Sequence, residues 1–136
     1  MSRDITAGSA DQSTVIRIID SGDGTPEQGV TKDTTGLAMW YRREGAVKTA
    51  ISVGTDLATL DAAHADGGIL HIDDGYYRLD VPDAAFAAGA AGVIVGGAVT
   101  DMIVIGAYHP LFDAIFDATD ETGIADVKTI MQAETH

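Results

Sequence analysis

Apolar positions along this chain recur with a period of two over most of its length. "TVIRIID" (Thr14–Asp20) is a β-branched run that stops at the turn cluster "SGDG". "LAMWYRR" (Leu37–Arg43) sets Leu37, Met39 and Tyr41 on one face and Ala38, Trp40 and Arg42 on the other, as a strand does. Glu44-Gly45 turns the chain, and "AVKTAISV" (Ala46–Val53) returns as a hairpin partner. "ILHID" (Ile69–Asp73), a turn at Asp74-Gly75 and "YYRLDV" (Tyr76–Val81) repeat the pattern, with Tyr77, Leu79 and Val81 facing inward. "GVIVGG" (Gly92–Gly97) and "DMIVIGAY" (Asp101–Tyr108) complete about seven strands with frequent turns, the pattern of an immunoglobulin-like antiparallel β-sandwich.

Two segments break the alternation. In "TDLATLDAAHADGG", Leu57, Leu60 and Ala63 fall at helical spacing behind Thr55 or Asp56 as caps. This predicts a short helix near residues 56–65 that Gly67-Gly68 stops. Pro110 suits a first helical position, and Leu111–Ile115 and Phe112–Phe116 are i,i+4 pairs with Asp113 and Asp117 on the polar side. A short amphipathic helical tail follows from that spacing, with 124–131 as a second helix or an extended arm. The mainly all-β chain then divides into a polar N-terminal arm (1–13), a sandwich domain (14–108) and an amphipathic C-terminal tail (109–136).

The connection "PDAAFAAGA" reads as a corner of the sandwich. Pro82 ends a strand because it cannot donate to the ladder. Asp83 is placed to cap a brief helical turn over Ala84–Ala88, with Phe86 plugging inward. The strands after this corner are apolar on both faces. Val93 and Val95 oppose Ile94, and Met102 and Val104 oppose Ile103 and Ile105. A sandwich strand normally wets one face, so a second apolar face predicts a covering partner. With the tail included, the candidate interface is Val93, Ile94, Val95, Met102, Ile103, Ile105, Leu111, Phe112, Ile115 and Phe116.

Composition narrows the function. The 136 residues, 46% hydrophobic, fit one domain with one core. No cysteine is present, which excludes disulfides, thiolate nucleophiles and thiolate metal sites. The 21 acidic and 8 basic residues give a net charge of −13, which disfavours nucleic acid and anionic membrane as partners. The N-terminus lacks the apolar core of a signal peptide, and no apolar run is long enough for a membrane helix.

Candidate chemistry is sparse. Asp20, Asp23 and Asp33 surround one glycine-rich loop, and Asp73-Asp74 sit at another. Carboxylates in loops can bind calcium, but "DSGDG" lacks the spacing of the helix-loop-helix calcium motif, and Asp and Gly are ordinary turn residues. His64, His71, His109 and His136 form no HExxH or similar pair, and His109 precedes the predicted tail helix. None of the five serines lies in GxSxG, and "GAAGVIVGG" leads into a strand instead of a phosphate-binding helix. No catalytic, metal or cofactor site is assigned, and no enzyme activity is expected. Trp40 reads as a buried residue of a central strand. Trp40, Tyr76, Tyr77 and Tyr108 would be the stacking residues if the sandwich bound carbohydrate.

From Thr14 to Ile105 the order of features resembles a group of tailed-bacteriophage virion proteins that carry a small immunoglobulin-like sandwich. The features are Asp20-Ser21 after the first strand, Gly36-Leu37 before an aromatic strand through Tyr41, Arg43-x-Gly45, and Gly67-Gly68 before a strand. Gly75-x-Tyr77-Arg78-Leu79-Asp80-x-Pro82-Asp83-Ala84 and Gly89 follow. The resemblance implies a virion structural protein assembled in the host cytoplasm. The resemblance implies no particular place in the particle; the doubly apolar strands, the polar arm and the amphipathic tail point to the outer head surface, as a capsid decoration (cement) protein on the major capsid protein. A tail, baseplate or fibre-connector component is the alternative, and a carbohydrate-binding sandwich for host attachment a second one. A homo-oligomer is expected, with a trimer as one option. In longer relatives of this kind further modules follow the domain; here a short tail follows, which favours a small add-on protein.

Overall fold

A computed structural model describes residues 5–112, which form ten strands in two five-stranded sheets. The first sheet has the order β1 (Ile5–Thr6), β10 (Ala107–Phe112), β8 (Gly92–Ala98), β3 (Ala38–Arg43), β4 (Lys48–Ile51). The second runs β5 (Thr55–Asp56), β6 (Gly68–Asp73), β7 (Tyr76–Asp80), β2 (Ser13–Asp20), β9 (Met102–Ile105). The series β4-β3-β8-β10 facing β6-β7-β2 has the C′CFG-against-DEB order of an immunoglobulin variable-type sandwich. Two features extend that frame. β1 runs parallel to β10, and β9 is inserted between β8 and β10 to pair with β2.

Alternation decides which side chains enter the core. On β2, Thr14, Ile16 and Ile18 are buried while Val15, Arg17 and Ile19 are half-buried on the other face. On β3 Met39 and Tyr41 point in; on β7 Tyr77 and Leu79; on β8 Val93 and Val95. Together with Phe86, Val81 and Ile69 they make one continuous core between the sheets. A polar bond crosses it, between Thr14 Oγ1 on β2 and His109 Nε2 on β10 at 2.6 Å. Phe86 packs edge-on against the same imidazole.

Turn chemistry fixes register. Asp74 and Gly75 both have positive φ, 51° and 80°, between the paired Asp73 and Tyr76. This is the two-residue, type I′ arrangement that Asp-Gly favours in hairpins. The "PDAAFAAGA" corner contains a 3₁₀ turn over Asp83–Phe86 with Phe86 fully buried. It is clamped from outside. Arg43 donates to the carbonyls of Ala84, Ala85 and Ala88, and Asp83 accepts from the Asp11 N–H instead of capping the turn.

Several expectations are corrected. Residues 57–67 form an irregular loop, not a helix. Its backbone is claimed by distant groups: the Leu57 N–H donates to Ile69, the Ala65 N–H to the Asp80 carboxylate, and the Gly67 N–H to the Asp80 carbonyl. The Asp56 carboxylate accepts from the Lys32 N–H and does not cap. Ile5–Thr6, expected in a polar arm, is a strand with Ile5 buried. "DMIVIGAY" is two strands in different sheets, parted at Gly106. His109 through Phe112, expected to open the tail helix, continue β10. The remainder of the tail, including Ile115 and Phe116, lies outside the described residues.

Asp80 has no exposed surface, and its carboxylate accepts four hydrogen bonds. They come from the Ser13 hydroxyl, the Arg78 Nε and Nη2, and the Ala65 N–H, at 2.7–3.0 Å. Burial pushes this carboxyl's pKa up, but the Arg78, Ala65 and Ser13 donors and the Arg78 charge together hold it below the ordinary value. Removing one partner of a buried pair typically costs about 3–5 kcal/mol, and partial exposure of Arg78 places Asp80→Ala near the lower end. Urea titration should show that loss. Because the folded pKa is depressed, this stabilisation is full above the unfolded value of about 3.9 and fades as pH falls through the folded value. Acid titration of wild type and Asp80→Asn should therefore differ in slope below about pH 4 and run parallel above pH 5.

Candidate interaction faces

The outer face of the first sheet is built from the residues that alternation turns away from the core. Cross-strand pairing aligns Tyr108, Ile94, Arg42 and Lys48 in one row across β10, β8, β3 and β4. The adjacent row contains Gly96, Trp40 and Ala50. Two glycines shape this face. A Cβ on Gly96 would sit 2.9 Å from Trp40 Cζ2, and one on Gly92 would collide with the Tyr108 ring. Each aromatic side chain therefore lies across a glycine of β8, covering backbone that has no side chain of its own. Lys48 places its ammonium 5.7 Å from the Trp40 ring centre. Next to Tyr108 a cleft of about 280 Å³ is lined by Arg42, Glu44, Gly92, Ile94 and Tyr108.

The second face lies along β9. Ile103 and Ile105 are 48% and 46% exposed, while Met102 and Val104 pack against the core. Their neighbours on β2 are Ile19 and Arg17. Among the described residues β9 is the last strand of its sheet. An edge strand presents unpaired backbone N–H and C=O groups, and proteins usually blunt it by shortness or by charge. β1 and β5 are two residues long and β4 carries Lys48; β9 has four residues and no charge.

The loop carboxylates point back on their own turns. Asp20 accepts from the Gly22 and Asp23 N–H groups, and Asp23 accepts from the Thr25 N–H and hydroxyl. The Thr25 N–H, then its hydroxyl, hold the Asp23 pKa below the usual carboxylate value. Among the described residues no group of three or more His, Asp or Glu is placed to hold a metal ion. His64 Nε2 donates to the carbonyls of Gln12 and Val81, and His71 Nε2 accepts from the Gly75 N–H. No described helix is long and apolar enough to cross a membrane.

Of the ten candidate interface residues, Val93, Val95 and Leu111 are core residues and Met102 is half-buried. Alternation on a sandwich strand leaves only one face available, which removes them from any outer contact. Ile94, Ile103, Ile105 and Phe112 are exposed, at 39–48%. They do not form one patch: Ile94 and Phe112 belong to the first sheet, Ile103 and Ile105 to the second. Trp40 is half-buried on the outer face, not in the core. Tyr77 is fully buried, its hydroxyl donating to Glu27 O and accepting from the Val30 N–H, so it is closed to any ligand. Tyr76 lies beneath Arg17 on the opposite sheet. Glu44 and Gly92 were not singled out from sequence as cleft residues, because their neighbours there come from other strands.

Searches for matching family models, curated proteins and solved structures returned no match to this chain.

The pairing of Gly96 with Trp40 has a direct optical readout, since Trp40 is the single tryptophan. Gly96→Ala should push the indole off the sheet, shift its emission to the red, and cost about 1–3 kcal/mol as overpacking. An unchanged emission maximum would show that the ring does not depend on the glycine.

Proposed function

We propose that this chain is a non-enzymatic structural protein of a phage virion. In the first instance it is a decoration protein that seats on the outer head surface as a homo-oligomer. The observation that carries an associative role is β9, an uncharged edge strand with Ile103 and Ile105 exposed. Such an edge offers both ladder hydrogen bonds and apolar area to another chain. The virion assignment rests on the resemblance of residues 14–105 in feature order. The acidic surface suits it: a charge of −13 keeps unassembled copies apart until a specific contact overcomes the repulsion.

Two measurements test this reading. Quantitative mass spectrometry of purified particles should find the chain at a level comparable to the shell subunit. A level of one small ring per particle would move it to the tail or baseplate, and absence from particles would overturn the virion assignment. Ile103→Lys/Ile105→Lys should fold, since both side chains are about half exposed, yet lose binding to particles stripped of the protein. Undiminished binding by that variant would remove β9 as the seat.

A further inference from the structure

We infer that the cleft between Arg42, Glu44 and Tyr108 is a binding subsite for a neutral pyranose ring. It lies on the sheet opposite β9 and goes beyond the assembly role proposed above.

The first support is the pose of Tyr108. Its ring lies across Gly92, where any Cβ would collide with it, yet the residue is 44% exposed. The hydroxyl end of the phenol is therefore held close to the β8 backbone, while nearly half of the residue's surface is open to solvent. A rigid aromatic face is the surface on which the C–H side of a sugar ring stacks, because it removes apolar area from water without ordering a flexible side chain. Trp40 lies across Gly96 in the same manner, but Lys48 stands over its ring. Of these two aromatic side chains, Tyr108 is the open platform.

The second support is the polar pair beside it. Arg42 donates through Nε to the Ala46 carbonyl at 3.0 Å, which fixes its stem and leaves the terminal nitrogens of the fork directed elsewhere. Glu44 lines the same cleft. Neither residue forms an ion pair among the described residues. A guanidinium only donates and a carboxylate only accepts, whereas a sugar hydroxyl does both. Vicinal hydroxyls match such a pair. Ile94 adds an apolar wall between β3 and β10.

Size and charge narrow the ligand. The cleft, about 280 Å³, falls just below the range of about 300–1,000 Å³ typical of drug-sized sites, which fits one ring better than an extended chain. Glu44 and the net charge of −13 repel anions, so sialic acids and phosphorylated sugars are disfavoured.

The test is a titration of the isotope-labelled full chain, followed by amide chemical shifts. The probes are the methyl glycosides of glucose, galactose, mannose and N-acetylglucosamine, with N-acetylneuraminic acid and a short neutral peptide as controls. At least one neutral sugar should shift residues around 42–44, 92–94 and 108, with a Kd on the order of 1 mM. Tyr108→Ala should weaken that binding at least tenfold, whereas Tyr108→Phe, which keeps the platform, should retain it. The amide spectrum itself reports that each variant is folded. Ile103→Lys/Ile105→Lys should bind sugar as wild type does, so this inference and the seating on β9 fail separately. No shift with any neutral sugar, equal binding by Tyr108→Ala, or preference for the acidic sugar or the peptide would each overturn it.

Discussion

A carboxylate without exposed surface must have its oxygens satisfied, and Asp80 imposes that requirement on everything around it. Ser13 ties the start of β2 to the end of β7. Arg78, two residues along the same strand, turns its fork onto Asp80 and donates through its other terminal nitrogen to Leu60 O. The Ala65 N–H closes the set, and the Gly67 N–H adds a bond to the Asp80 carbonyl. One ion pair therefore holds the 57–67 loop at Leu60 and Ala65 and ties β2 to β7 in the second sheet.

The rest of the framework follows from a sandwich built without cysteine. Where antibody-type domains place a disulfide between sheets, this chain relies on close packing and on the Thr14–His109 bond across the core. Tyr77 extends the hold outward, since its buried hydroxyl fastens the loop at Glu27 and Val30. Arg43 does comparable work at the Asp83–Gly89 corner through three carbonyls. The inner face is thus committed to stability. What remains for contact with other molecules is the outer surface: the β9 edge on one sheet, the aromatic and charged rows on the other.

Local patterns made part of this readable from sequence. The alternation in 37–43 correctly separated Met39 and Tyr41 from Trp40 and Arg42, and Asp74-Gly75 identified its hairpin. Phe86 was legible as a plug because a lone large side chain sits among alanines after a strand-ending proline. The failures are non-local. Leu57, Leu60 and Ala63 do have helical spacing, but bonds from Ile69 and Asp80 outcompete the helix. The apolar run around Gly106 concealed a change of sheet. The covering of Gly92 by Tyr108 and of Gly96 by Trp40 depends on registers that short-range periodicity does not contain.

The pairing of Ile5 with Leu111 joins nearly opposite ends of the described chain, and Arg17 pairs with Ile105 in the other sheet. Both sheets are completed by strands from the last part of the fold. During synthesis, the second sheet cannot close before Ile105 has cleared the ribosome, nor the first before Phe112 has. Until then β2 lacks one of its two neighbours, and so does β8. The nascent domain must stay soluble as an incomplete sandwich, and a strongly acidic chain is well suited to that interval.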